Sequence, residues 1–368
     1  MSFPSQNTVN APKSLPQTLL GEVTVLSRPT SWFQGGRFVT GGNGGEGRTI
    51  GGRENGKRGE RGKLGNIVLD RRPLYVRDSV WCIWCVCVDS SSSSPTVIHV
   101  ISGGNGVGGV TSLGDDVFVV RHNCEEKIEV YDAKIFTLQR HIRIPGLGDR
   151  CFGLVACPYN NCLHASDCDN NSVHRVDLSG SNAVMKWSVA RRPAGLSVNS
   201  EHNLLVVSRD ESKLQIFTTR GTLLRNIQLQ ADIEYPRRAV QLSTGQFLVS
   251  HSRSLHRVCL VGVDGAVVRS YGGPKGSELS HLNAPRGLAV DREGRVLVAD
   301  ECNNRLLVID QSLSSAHEMS VSVDGGLQGP FSLWHDQSRR RLYIGEWRGA
   351  RVIVIDNLKD FTASQVKA

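Results

Sequence analysis

The sequence predicts an all-β fold: a six-bladed β-propeller over residues 96–368, closed by an N-terminal strand and preceded by a disordered Gly/Arg-rich leader over residues 1–95. Three observations predict it. A three-strand unit recurs six times. The first-strand positions Gly153, Gly195, Ala239, Gly287 and Ser332 lie 42, 44, 48 and 45 residues apart. The last unit also stops after its third strand, while a strand-like run with no unit of its own precedes the first. Repeats of 40–50 residues with about four strands each are the signature of propeller blades.

The leader comes first in the chain. Thirteen glycines fall between Gly35 and Gly65, mixed with Arg, Glu, Asn and Lys. Such a segment buries too little apolar area to offset its chain entropy. Glycine recurs at every third place from Gly56 to Gly65, but three triplets without proline cannot hold a collagen helix. The chain carries a net charge of +8, of which residues 1–95 contribute +5 from twelve Lys/Arg against seven Asp/Glu. The propeller is therefore only mildly basic, and total charge does not select nucleic acid as its partner. The first twenty residues lack a basic start followed by an apolar run, so no signal peptide is expected. Val80 to Val88 (VWCIWCVCV) is too short to span a bilayer and reads as a buried or membrane-brushing segment. Cys82, Cys85 and Cys87 supply half of a zinc site, and no second ligand pair follows within ten residues. Ser90 to Ser94 then ends the leader as a linker. Ten cysteines in 368 residues do not describe a small disulfide scaffold, and the expectation is a cytoplasmic chain with reduced thiols.

Next comes the closing strand. Thr96 to Ile101 is β-branched, is followed by Gly103, Gly104 and Gly106, and is expected to complete the last blade. That pairing would leave no open edge in the ring.

The six units are 109–134, 149–180, 191–221, 235–265, 282–312 and 329–357. The clearest, 282–312, has a strand from Gly287 to Val290, a turn from Asp291 to Gly294 and a strand from Arg295 to Ala299. A polar turn from Asp300 to Asn304 and a strand from Arg305 to Ile309 follow. The strands are aliphatic and the turns carry Asp, Asn and Gly.

Within that unit, Pro285-Arg286-Gly287-Leu288-Ala289-Val290-Asp291, Val298-Ala299-Asp300 and Asn303-Asn304-Arg305-Leu306 closely resemble an NHL repeat. The units at 149–180, 191–221 and 329–357 resemble it moderately, and the other two mainly by register. The resemblance covers about 96–368 and implies six blades. NHL propellers form the partner- or RNA-binding half of tripartite-motif ubiquitin ligases. Because the leader shows no RING, B-box or coiled-coil heptads, ligase activity is not implied.

The start of each first strand should lie near the propeller axis. Arg150, Phe152, Arg192, Arg237, Arg238, Arg286 and Phe331 occupy those starts and form the candidate binding site. Guanidinium groups grip carboxylate or phosphate, and aromatic faces take bases or apolar anchors. The second turns (Asp167, Asp169, Asn170 and Asn171; Asp300, Asn303 and Asn304; Glu346 with Arg351) lack the bidentate Glu of a calcium loop and read as turn-forming groups. Cys157 and Cys162 flank a tight turn that lets the thiols face one another; a cross-strand disulfide is geometrically possible, and free thiols are the expectation. His164, His174, His251 and His256 fall near strand ends. No GxSxG, HExxH or Walker motif is present. The expected function is a non-catalytic module that binds protein through one propeller face, with no cofactor, metal, membrane or small-molecule substrate. Single-stranded RNA at an arginine-lined channel mouth is the alternative, and a metal-dependent hydrolase or lyase is a third.

Overall fold

The structure, a computed structural model, describes residues 95–358 and 361. The leader, with its CxxC motif and apolar run, lies outside the described residues.

Apolar runs such as Leu204–Ser208 and Val296–Asp300 are buried along their whole length. That pattern belongs to strands covered on both faces, as in the middle of a blade packed between two others. Leu138–Arg143 and Leu223–Gln228 each bury a single residue, as outermost strands do. Among the described residues, twenty-four strands form six four-stranded antiparallel sheets.

From the channel outward, the first blade contains Val107–Leu113, Asp116–Arg121, Lys127–Asp132 and Leu138–Arg143. The second contains Leu154–Cys157, Cys162–Asp167, Ser172–Asp177 and Val184–Ser188. The third contains Pro193–Val198, Leu204–Ser208, Lys213–Phe217 and Leu223–Gln228. The fourth contains Pro236–Gln241, Phe247–Ser252, His256–Val261 and Val267–Gly273. The fifth contains Pro285–Val290, Val296–Asp300, Arg305–Ile309 and Ala316–Met319. The sixth contains Pro330–Asp336, Arg341–Glu346 and Arg351–Asp356, and its outermost strand is Thr96–Ser102.

The expected closure is therefore present. Thr96 pairs with Asp356, Val100 with Ile353 and Ser102 with Arg351, with a bulge between Val97 and His99. Ile101 packs with Val352 and Val354, while Val97 and Val100 pack against the cluster of Leu342, Ile344, Ile353 and Ile355. Turn chemistry sets the register inside blades. In the fifth, Asp291 Oδ1 accepts from the backbone of Glu293 and Arg295, and Gly294 takes φ +77.

In the second and third blades the inner strands approach their neighbours so closely that only glycine fits at one position. A Cβ on Gly153 would lie 2.5 Å from Ala194 O, and one on Gly195 would lie 2.4 Å from Arg237 O. These glycines let neighbouring blades close around the channel.

A candidate binding site at the channel mouth

The chain enters the inner strand of the third, fourth, fifth and sixth blades through a left-handed residue: Arg192 (φ +52), Tyr235 (φ +52), Ala284 (φ +59) and Gly329 (φ +65). The first strand residue then pairs with the end of the second strand, as Pro193 with Ser208, Pro236 with His251, Pro285 with Asp300 and Pro330 with Glu346. A register shift follows in each case, and bulges of this kind re-aim side chains. The next residue in each blade stands at the mouth. Around the ring these are Gly108, Phe152, Ala194, Arg237, Arg286 and Phe331. A small, partly solvent-open cavity of about 30 Å³ sits there, lined by Phe152, Ala194, Gly195, Arg237, Arg238, Arg286, Gly287, Phe331, Ser332 and Leu333.

Five of the seven candidate residues thus meet at one opening. Arg150 and Arg192 do not line it. They hold the turn position two residues before Phe152 and Ala194, where Arg150 pairs with Asp169 and Arg192 lies 3.7 Å from Asp210.

A second ring surrounds the first, made by the residue after the one that pairs with the start of each inner strand: His122, Cys168, Arg209, Ser252, Glu301 and Trp347. None was a candidate from sequence, because their types differ from blade to blade. Their register against the start of the inner strand is the signal that finds them.

The two rings interlock. Phe331 stacks on Trp347 with centroids 5.0 Å apart and an interplanar angle of 28°. Phe152 lies 6.0 Å from Phe331 and 5.8 Å from Trp347, and His122 meets Trp347 edge-on at 5.0 Å. The Arg286 guanidinium sits 5.0 Å from the Phe331 ring centre while its Nε donates to Glu301 Oε2 at 2.6 Å. Tyr235 is surrounded by Arg209, Arg237 and Arg253 at 5.2, 5.8 and 4.8 Å.

Charge at the mouth is unbalanced. Among the described residues only Arg286 of the pocket arginines has a carboxylate partner. Arg237 Nε reaches Ser252 Oγ at 3.4 Å, and the Nε atoms of Arg209 and Arg238 are buried without any hydrogen-bond partner. Burial lowers the pKa of Arg237, and the charges of Arg286 and Arg209 lower it further. Burial also lowers those of Arg209 and Arg238. Each of these effects penalises the charged form and is relieved by a bound anion.

The other sequence candidates have structural roles. Asp167 accepts from Asn170 and His174, Asp300 from Asn283, Asn303 and Arg305, and Glu346 from Gln328 and Arg351. His164, His174 and His251 are buried within blades, and His256 Nδ1 accepts from the Ala284 backbone. Among the described residues no three His, Cys, Asp or Glu side chains converge as metal ligands. Cys157 and Cys162 pair directly across their hairpin and are both free thiols.

Comparison with known proteins agrees with this architecture. The NHL repeat family matches residues 282–309. Protein brain tumor of Drosophila melanogaster is 26% identical over 135 residues, which is 35% of this chain and 12% of that relative's length. A streptogramin B lyase structure superposes with a TM-score of 0.53 at 14% identity, covering 75% of this chain and 87% of the lyase. A catalytically inactive virginiamycin B lyase from Staphylococcus aureus with quinupristin gives 0.52 at 10% identity, covering 72% and 99%. Kuenenia stuttgartiensis hydrazine synthase gives 0.52 at 15% identity, covering 71% and 98%. At these identities the likeness is one of fold.

Proposed function

We propose that this chain, which carries an NHL-repeat β-propeller, is a non-catalytic interaction module that seats a protein partner on the channel-mouth face. The observation that carries the reading is the arginine surplus. Arg237 and Arg238 line one cavity without carboxylate partners, Arg209 lies 5.9 Å from the Phe152 ring at its edge, and Phe152, Phe331 and Trp347 form an apolar wall beside them. Arginine and aromatic side chains around a pocket make an anchoring surface for protein association. The cavity lining supplies no His, Asp or Glu to act as base or metal ligand. The seven described cysteines are all free, which suits a reducing compartment, and we place the protein in the cytoplasm. Among the described residues no helix is long and apolar enough to cross a membrane.

Single-stranded RNA is the second reading, favoured by the same arginine surplus. Affinity purification of the full chain with and without nuclease separates the two. Partners retained after nuclease support the protein reading, and their complete loss assigns RNA as the ligand.

A further inference from the structure

Arg238 is the exception in the ring of small residues. At its register the other blades carry Gly109, Gly153, Gly195, Gly287 and Ser332. The fourth blade alone places a long cationic side chain at this register, where the glycines of other blades lie against the neighbouring blade. Its Cδ lies beside Gly195 and its Nε is buried with no partner, and among the described residues the side chain makes no hydrogen bond or ion pair. A buried guanidinium Nε–H without an acceptor costs about 1–3 kcal/mol unless a ligand supplies one.

We infer that Arg238, with Arg237 beside it, is the seat of a peptide carboxylate that a protein partner inserts into the channel. This rests on the proposed protein-binding role of the mouth. Geometry selects the chemistry. Gly195 and Gly287 keep the lining beside Arg237, Arg238 and Arg286 free of further side chains, and Phe152 and Phe331 wall it, so the guanidinium groups face a small space suited to a slender, negatively charged group. The aromatic faces at the mouth are already engaged. Phe331 lies between Trp347 and Arg286, Trp347 between Phe331 and His122, and Tyr235 among three arginines. A nucleobase stacks on a free ring face, and these rings offer a packed wall instead. A carboxylate needs only the guanidinium fork and the wall.

The test uses the full chain and a fluorescein-labelled Gly-Phe-Glu-Glu peptide, with anisotropy as the readout. Arg238→Gly restores the residue of the neighbouring blades, and an unchanged unfolding midpoint confirms that the variant folds. The inference expects saturable binding that weakens at least ~10-fold in Arg238→Gly, the loss of one charged hydrogen bond. A Gly-Phe-Gln-Gln amide should not bind. Amidating the acidic peptide distinguishes the two carboxylate sources: retained binding assigns the side chain, and lost binding assigns the terminus. Equal affinity of wild type and Arg238→Gly, or no binding by wild type, overturns the inference. So does an Arg238-dependent preference for an eight-nucleotide oligouridine. If the peptide fails while Arg237→Glu/Arg286→Glu still abolishes partner capture, the carboxylate seat is wrong and the mouth remains the binding surface. If that double variant captures partners normally, the functional reading itself falls.

Discussion

Arg305 Nε donates to Asp300 Oδ2 at 2.8 Å inside the fifth blade, and both residues are buried. The pair also fastens the linker that leads into the blade. Arg305 donates to the carbonyls of Ser277, Glu278 and His281, and Asp300 accepts from the Asn283 backbone at 2.6 Å. The sixth blade repeats the arrangement with Glu346 and Arg351, which reach the linker at Asp324, Gly326 and Gln328. Removing one member strands a buried charge. Arg305→Leu should cost about 3–5 kcal/mol, measured by urea unfolding. A loss below 1 kcal/mol would show that the pair is not a structural latch.

The closing strand should matter to the whole ring. Deleting residues 96–101 removes Ile101 from the core and uncovers the edge of Arg351–Asp356. With about 4 kcal/mol of burial lost, the melting midpoint should fall by about 10 °C or more. An unchanged midpoint contradicts closure by this strand.

Acid sensitivity should come from two neutral histidines. Burial holds His164 at a pKa of about 4, and burial together with the Arg257 charge holds His251 at about 4. Arg257 Nε donates to His251 Nε2, so protonation would also break that bond. Both values lie below the ordinary histidine value of 6.5, so the folded state resists protonation. Their contribution is fully present above pH 6.5 and is lost as pH falls toward 4. Urea midpoints should decline across that window, and His164→Leu should flatten the decline. An identical slope in the variant would remove His164 from the account.

Gly153 and Arg238 share a register but should respond in opposite ways. Gly153→Ala places a Cβ against Ala194 O and should cost about 1–3 kcal/mol by overpacking. Arg238→Gly should leave the unfolding free energy unchanged or raise it. Differential scanning calorimetry of both decides this, and equal destabilisation would mean that the register carries no packing constraint.

Some of this was readable from residues alone. Asp291, Gly294 and Asn304 mark turns by backbone preference, so the fifth blade is legible almost to the residue. Its first strand begins at Pro285 rather than Gly287 because proline needs no ladder donor there. Thr96 to Ile101 apart, the outermost strands carry no signal in the sequence. Leu138–Arg143 and Val184–Ser188 face solvent and show no alternation, and only the hydrogen-bond ladder defines them. The mouth was read one turn too broadly. Arg192 precedes the bulge in a left-handed conformation and Arg150 is held by Asp169, and sequence spacing shows neither. The second ring, including Arg209 and Trp347, depends on six registers coinciding in space, which only the closed circle reveals.

The central claim is that ligand binding resides in the channel mouth. Its most direct measurement is partner capture by the full chain carrying Arg237→Glu and Arg286→Glu, compared with wild type at equal abundance and equal unfolding midpoint. The account predicts loss of the nuclease-resistant partners from the variant. Capture of the same partners at wild-type levels would contradict it.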